Sequence, residues 1–404
     1  FGGRAWTTVS SAVLLVPALL LAIVVPSHWL AEQSHSTQFL LLLACAATAG
    51  VGGANFASSM ANISFFYPER KKGFALGLNA AGGNLGVAVC QLVTPLVIII
   101  GAPAGAAELS HHPVHLGLAG WVFVPFIVAT TIAAWRYMDS LTQARTDRRS
   151  YLAALRQPHA WLLSFLYIGT FGSFIGFSFA LPLVTKSSFP AFLHGHPFIA
   201  TYLAGLGFTG ALVGSLSRPL GGWLSDRVGG ARVTVAVFTC MAASTGLAIV
   251  GVERHSFAVF FLSFQVTFLL TGMGNGSIYK MIPTVFASQG AQRVADGAEP
   301  AAILVELRRR AAAVIGIAGA IGALGGVGIQ VVLRQASLGV SALEAAARTP
   351  AEKAAVAAAH TAWSAPALWS FLSTYVVLAA VTFVVYLRWQ PELSRATLAL
   401  EGVR

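Results

Sequence analysis

The sequence predicts an all-α integral membrane protein, and three observations carry that prediction. Hydrophobic residues make up 56 % of the 404-residue chain and charged residues only 10 %, where a soluble domain carries about 25 % charged residues. The apolar residues gather into ten long runs, each near or beyond the roughly 20 residues a helix needs to cross a bilayer. Lys and Arg collect in alternate connections between those runs, the bias that sets the orientation of helical membrane proteins.

The ten spans are expected at about 6–25, 38–66, 73–100, 118–138, 160–184, 198–224, 232–251, 256–286, 311–335 and 366–388. Several exceed the minimum length, which implies tilt. Pro95 and Pro125 are tolerable inside membrane helices. Residues 1–25, with Arg4 ahead of an apolar stretch, imitate a signal peptide. Further apolar runs follow at once, so a span is the preferred reading, and the chain, which lacks an initial Met, reads as starting mid-protein. One alternating set of connections holds 18 Lys and Arg and the other holds 5, with Arg218 and Lys280 left inside spans. That asymmetry places the first set, and both ends of this chain, in the cytoplasm. The basic connection 139–158 reads as a cytoplasmic linker between an N-terminal bundle, 1–138, and a C-terminal bundle, 159–404. The Ala-rich segment 336–361 is either a helix outside the membrane or a loose loop.

The net charge of +11 does not point to nucleic acid, because the basic residues lie in short segments between apolar runs. Cys45, Cys90 and Cys240 lie in apolar runs without metal-like spacing and read as small core residues. No nucleophile–base pair, metal cluster or phosphate-cradling loop is visible, so neither an enzyme nor a bound metal or cofactor is expected. His111-His-Pro-Val-His115 reads as a loop, with adventitious metal binding as its alternative.

Arg218 is the most informative residue. It stands in Gly214-Ser-Leu-Ser-Arg218-Pro-Leu-Gly221-Gly222, inside an apolar run where a charge is costly unless compensated. Asp and Glu fall in connections or near span ends, so a carboxylate partner is hard to find. Two readings remain, a snorkelling or paired arginine and a cation that receives an anionic substrate. Guanidinium matches a planar oxyanion through two parallel hydrogen bonds. Tyr167 and Phe171, at i and i+4 of the fifth span, either pack the core or clamp a flat, weakly hydrated anion. Lys280 either lines the pathway or snorkels to the cytoplasmic edge.

Three further patterns add to this. Asn55, Ser59 and Asn62 share a face of the second span, for hydrogen bonds between helices or for the pathway. Small residues recur in Gly73–Gly86, ending at Asn84, and in Gly316–Gly326; such strips let helices pack closely and suit helices that slide or rock. Gly222-Trp-Leu-Ser-Asp226-Arg227-Val-Gly-Gly-Ala-Arg232 lies on a cytoplasmic turn, where Asp226 can pair with arginines or cap the next helix and so act as a latch.

Residues 222–232 resemble the loop motif of the major facilitator superfamily, and Phe1-Gly-Gly-Arg-Ala resembles the tail of its other copy. Within that superfamily the chain resembles the nitrate/nitrite porter family, through Ala54–Phe66, Gly73–Gly86, Thr170–Phe177 and Gly316–Gly326. The resemblance covers nearly the whole chain. It implies a two-bundle fold in which ten of an expected twelve helices are present, the first two being absent. It also implies an anion site at the bundle interface, with one arginine from each half and sandwiching aromatics. Arg218 then matches the C-terminal-half arginine, Tyr167 the site tyrosine, Phe56 and Phe171 the aromatics, and Gly53, Asn84 and Gly316 other lining positions. The partner arginine would lie in an absent helix. Ala80 stands where relatives have glycine and Lys280 where some have glutamine. Either departure bears on substrate preference or coupling, for which Lys280 and Asn55 are candidates.

The expected activity is nitrate/nitrite antiport by rocker-switch alternating access in the cell membrane, by a monomer with lipid and small anions as its partners. Nitrate/proton symport is the nearest rival. A facilitator for another solute and a membrane sensor are the rivals from other classes.

Overall fold

The computed structural model describes residues 2–53, 55–100, 108–109, 112–140, 148–297 and 299–389. The 141–147 part of the linker, His111, and Arg395 and Arg404 lie outside the described residues, as does the side chain of Asn62.

The described helices are α1 (Gly3–Val24), α2 (His35–Gly53), α3 (Asn55–Phe66), α4 (Glu69–Ile100), α5 (Leu118–Tyr137), α6 (Arg148–Leu155), α7 (Pro158–Ser188), α8 (Gly207–Leu216), α9 (Arg218–Val228), α10 (Gly230–Glu253), α11 (Phe257–Ala295), α12 (Pro300–Ala346), α13 (Pro350–Thr361) and α14 (Ala365–Trp389). Among the described residues, nine helices are long and apolar enough to cross a membrane. In hydrocarbon each backbone N–H and C=O must be satisfied within the protein, and helices do this segment by segment. Glu108–Leu109 and His112–Pro113 form a small antiparallel hairpin in the loop between α4 and α5, a local departure from the all-α expectation.

The expected sixth span, 198–224, is not one continuous helix. It comprises the short helix Pro197–Tyr202, a 3-10 turn at Ala204–Leu206, and then α8 and α9, separated at Ser217. Two local causes act. Gly205 and Leu206 both hold positive φ, +60° and +65°, which breaks the chain between the short helix and α8. Pro219 has no N–H to return to the Ser215 carbonyl, so the ladder is interrupted one turn earlier. The break is anchored, because the Ser217 hydroxyl donates to the Leu269 carbonyl of α11 at 2.8 Å.

The chain forms two compact units. One comprises 1–62 and 89–145, and the other 63–88 and 146–404. The sequence division assigns 63–88 to the N-terminal bundle, whereas the contacts group the first part of α4 with the second unit. In the first unit α1 packs against α2 and α5, and Thr7 Oγ1 donates to Asn55 Oδ1 at 3.2 Å. In the second unit α11 packs on α8, α9 and α10, while α7 packs on α12. An aromatic core joins α7, α11 and α14: Phe177 meets Phe264 edge-on at 5.2 Å and Phe371 at 5.4 Å. Edge-to-face contact suits the ring quadrupoles.

The segment 336–361 is helical on both sides of a break at 347–349. Ala-rich sequence carries α12 on to Ala346, as expected for strong helix formers. Glu352 caps α13, accepting from the backbone N–H of Arg348 at 2.7 Å and Thr349 at 2.8 Å, while Thr349 Oγ1 accepts from the Glu352 N–H at 3.2 Å. This is a reciprocal capping box. The backbone donors of Thr349 and Arg348 hold the Glu352 carboxyl below the usual carboxylate range. Because the folded-state pKa is depressed, the cap contributes fully above the ordinary carboxylate pKa and is lost as pH falls through the depressed one. Amide exchange across 350–361, corrected for its intrinsic pH dependence, should therefore quicken several-fold on acidification. Glu352→Ala should show the quickened rate at neutral pH, with no further acid response.

Candidate anion-binding site

Arg218 opens α9 directly after the Ser217 break, and its backbone is held by close crossings on two sides. A Cβ placed on Gly77 of α4 would lie 2.6 Å from the Arg218 carbonyl oxygen, and one on Gly276 of α11 would also collide with that oxygen. Only glycine permits backbones to approach this closely. With its backbone wedged between α4 and α11, Arg218 extends its side chain over α7. The guanidinium carbon sits 4.7 Å from the ring centroid of Phe174 and 5.5 Å from that of Phe171.

The ring bed continues away from the charge. Tyr167 stacks on Phe171 at 5.0 Å, and Tyr279 of α11 tilts against Tyr167 at 4.8 Å. Arg218, Tyr167 and Tyr279 are each 0 % exposed. α7, which supplies three of these four rings, changes to π geometry over Ile168–Gly172, between Tyr167 and the Phe174 turn. π turns inside α-helices are frequent at functional sites.

The guanidinium is short of partners. Its Nε, Nη1 and Nη2 make no hydrogen bond to the protein, and among the described residues no carboxylate pairs with it. The phenol of Tyr167 faces it closely enough to interact side chain to side chain, and that of Tyr279 acts on it electrostatically. Further buried polar atoms on α7, α8 and α11 lack a hydrogen-bond partner: Thr170 Oγ1, Ser215 Oγ and both amide atoms of Asn275. Burying a charged group costs several kcal/mol even after relaxation. Two cation–π contacts return about 0.5–2 kcal/mol each, which leaves a deficit that an anion, with its charge and its acceptor oxygens, is suited to close.

The other sequence-predicted residues divide. Phe171 and Tyr167 join Arg218. Asn84 is buried on α4 and donates from Nδ2 to the Ala80 carbonyl of its own helix at 2.8 Å. Gly316 lies on α12 in the same unit, partly buried. Gly53 ends α2, and Asn55 and Phe56 open α3; these three belong to the first unit. Asn55 accepts the hydroxyl of Thr7 from α1, a bond between helices. The sequence reading did not single out Phe174, Tyr279 or Asn275. Phe174 lies three residues beyond Phe171, and Asn275 and Tyr279 are an i, i+4 pair next to Lys280, so helical spacing was the signal available.

The latch also differs from its expectation. Asp226 pairs with Lys280 of α11, Nζ to Oδ1 at 2.9 Å, rather than with an arginine. It also accepts the Gly73 N–H at 3.1 Å and the Phe74 N–H at 2.9 Å from α4. Arg227 instead lies over the Trp223 ring at 3.9 Å, and Arg232 is exposed. Asp226 is 8 % exposed and Lys280 2 %, so Lys280 does not snorkel and Asp226 is not a surface carboxylate. A Cβ on Gly73 would lie 2.7 Å from both Asp226 Oδ1 and the Gly222 carbonyl oxygen, which is why the carboxylate can reach that backbone.

Comparison with known proteins places this geometry in context. The sequence profile of the Major Facilitator Superfamily matches residues 1–328. The chain is 39 % identical over 335 residues to the nitrate/nitrite transporter NarU of Escherichia coli strain K12, covering 81 % of this chain and 69 % of that one. It is 35 % identical over 299 residues to the probable nitrate/nitrite antiporter NarK2 of Thermus thermophilus, covering 70 % and 64 %. In fold it is similar to the superfamily transporter FucP in its outward conformation, with a TM-score of 0.55 at 14 % identity, covering 94 % of this chain and 83 % of that one.

The Asp226–Lys280 pair yields a stability prediction. Removing one member of a buried pair strands the other and costs about 3–5 kcal/mol. Lys280→Met and Asp226→Asn should each lower the unfolding temperature in detergent. The double variant should recover a large part of the loss, and a double variant as unstable as the sum of the two singles would show that the pair is not coupled.

Proposed function

Because the chain belongs to the major facilitator superfamily, in its nitrate/nitrite porter family, we propose that it carries nitrate and nitrite across the cell membrane by one-for-one exchange. The observation that carries this reading is the fully buried Arg218 guanidinium, laid over Phe174 and Phe171 with no hydrogen bond to the protein. A planar oxyanion can accept two parallel N–H bonds from the guanidinium fork, and the ring faces suit a flat ion that sheds water cheaply. Tyr167 supplies a phenol at the edge of the same bed. Phe56, Gly53, Asn84 and Gly316 are the remaining family positions carried into the reading.

Exchange follows from the charge. A guanidinium in a low-dielectric bundle without a counter-charge resists enclosure, and a bound monovalent anion removes that resistance. Conformational switching by alternating access is then favoured in the loaded state, which couples inward nitrate to outward nitrite. Asp226 acts as a latch that holds α9 to α11 through Lys280 and to the first turns of α4, with Arg227 and Arg232 on its flank. The Lys and Arg bias supports an orientation with both ends of this chain in the cytoplasm.

Nitrate/proton symport is the second reading, and the buried Asp226–Lys280 ion pair is the feature that favours it. The two readings part in proteoliposomes. Exchange predicts that labelled nitrate enters only when nitrite or nitrate is inside, whatever the pH gradient. Equal uptake driven by a pH gradient into anion-free vesicles would replace exchange with symport. Arg218→Lys keeps the charge but loses the fork, and should reduce flux about a hundredfold, in line with the loss of two charge-assisted hydrogen bonds. Near-normal flux in that variant would remove Arg218 from the binding role.

A further inference from the structure

Asn275 of α11 is 0 % exposed, and neither its amide nitrogen nor its amide oxygen has a hydrogen-bond partner in the protein. A buried amide with neither end satisfied is rare, because the desolvation of both groups goes uncompensated. The direction of the side chain follows from its neighbours. A Cβ on Gly274 would meet the Thr170 side chain of α7, and one on Gly276 would meet the Arg218 carbonyl of α9. Successive side chains on a helix turn by about 100°, so the residue between these two points into the wedge between α7 and α9. Phe268, seven residues earlier, packs on Phe174, and Tyr279, four residues later, packs on Tyr167. Asn275 thus lies on the stripe of α11 whose ends touch the two margins of the aromatic bed beneath the guanidinium.

Resting on the anion-carrier reading, we infer that Asn275 is a further ligand of the transported oxyanion. Its amide has one end for each neighbour. With the anion bound, the Nδ2 hydrogens donate to an anion oxygen, and Oδ1, which makes no bond in this structure, takes an N–H of the Arg218 guanidinium and fixes the plane in which the fork meets its substrate. An arginine alone supplies donors on one edge of the anion. An amide on a second helix supplies a donor from another direction, which a three-oxygen planar anion uses more fully than a two-oxygen bent one. Asn275 therefore both binds and discriminates, with nitrate more dependent on it than nitrite.

The test is tracer exchange in proteoliposomes, with nitrate and nitrite measured separately and wild-type protein alongside. Asn275→Leu keeps the branched outline and the heavy-atom count and removes both polar ends. Its KM for nitrate should rise about ten- to a hundredfold, as for a lost hydrogen bond to a charged partner, with a smaller rise for nitrite and little change in maximal rate. Asn275→Ser, which retains a hydroxyl donor, should recover part of the nitrate KM. Asn275→Asp sets a carboxylate beside Arg218 as a permanent counter-ion and should abolish uptake of both anions. Should Asn275→Leu fail to fold, the Ser and Asp variants are read by thermal stabilisation with added nitrate, which Asp should lose and Ser should keep in part. Wild-type KM values in Asn275→Leu, or nitrate stabilisation retained in Asn275→Asp, would overturn the inference. Wild-type protein that neither exchanges nor is stabilised by nitrate or nitrite would instead sink the carrier reading on which it stands.

Discussion

A guanidinium sealed among aromatic rings, with no counter-charge among the described residues, is the constraint to which the second unit answers. The surrounding helices could have satisfied Arg218 cheaply with one carboxylate, and the one such group buried nearby in sequence, Asp226, is turned instead toward Lys280 and the α4 backbone. The two arrangements on α9 are complementary. One buried carboxylate is fully saturated at the far end of the helix, and one buried cation is left unsaturated at its start. Eight residues separate a closed electrostatic account from an open one.

The helix between them depends on the absence of side chains. Gly77, Gly276, Gly73 and Gly222 let three backbones meet at contact distances, which fixes where the Arg218 carbon frame stands before its long side chain begins. Such crossings carry no hydrophobic driving force in lipid and rest on dispersion and hydrogen bonding. The Ser217 hydroxyl, bonded to the Leu269 carbonyl, adds a polar tie at the point where Pro219 has broken the ladder. Position, charge and break are therefore set by the same short stretch, Gly214–Gly222.

The class of protein, nine of the ten spans and the buried arginine were legible in the sequence because each breaks a strong background. Long apolar runs contrast with basic connections, and Arg218 contrasts with the run that holds it. What escaped was relational. Asp226 and Lys280 are far apart in sequence on different helices, and no periodicity reveals which cation a carboxylate selects, so arginines beside it in sequence were the natural candidates. Tyr279 and Asn275 are ordinary residue types in an apolar run, and only packing against Tyr167 and the wedge beside Arg218 distinguishes them. The interrupted sixth span was written in Pro219 and Gly205, yet hydropathy alone reads straight across both. Where the small-residue strips were read as packing surfaces, the α4 strip does pack closely, with its partner supplied by α9.

The bare charge at Arg218 also has an electrical consequence. A bound anion offsets that charge, and on the exchange reading each univalent anion that enters is matched by one that leaves, so the membrane voltage does no net work over a full cycle. An unaccompanied elementary charge crossing the same field would gain or lose about 2.3 kcal/mol per 100 mV. A carrier that exchanges in that way is freed from the cell's energised state and answers to the two anion gradients alone.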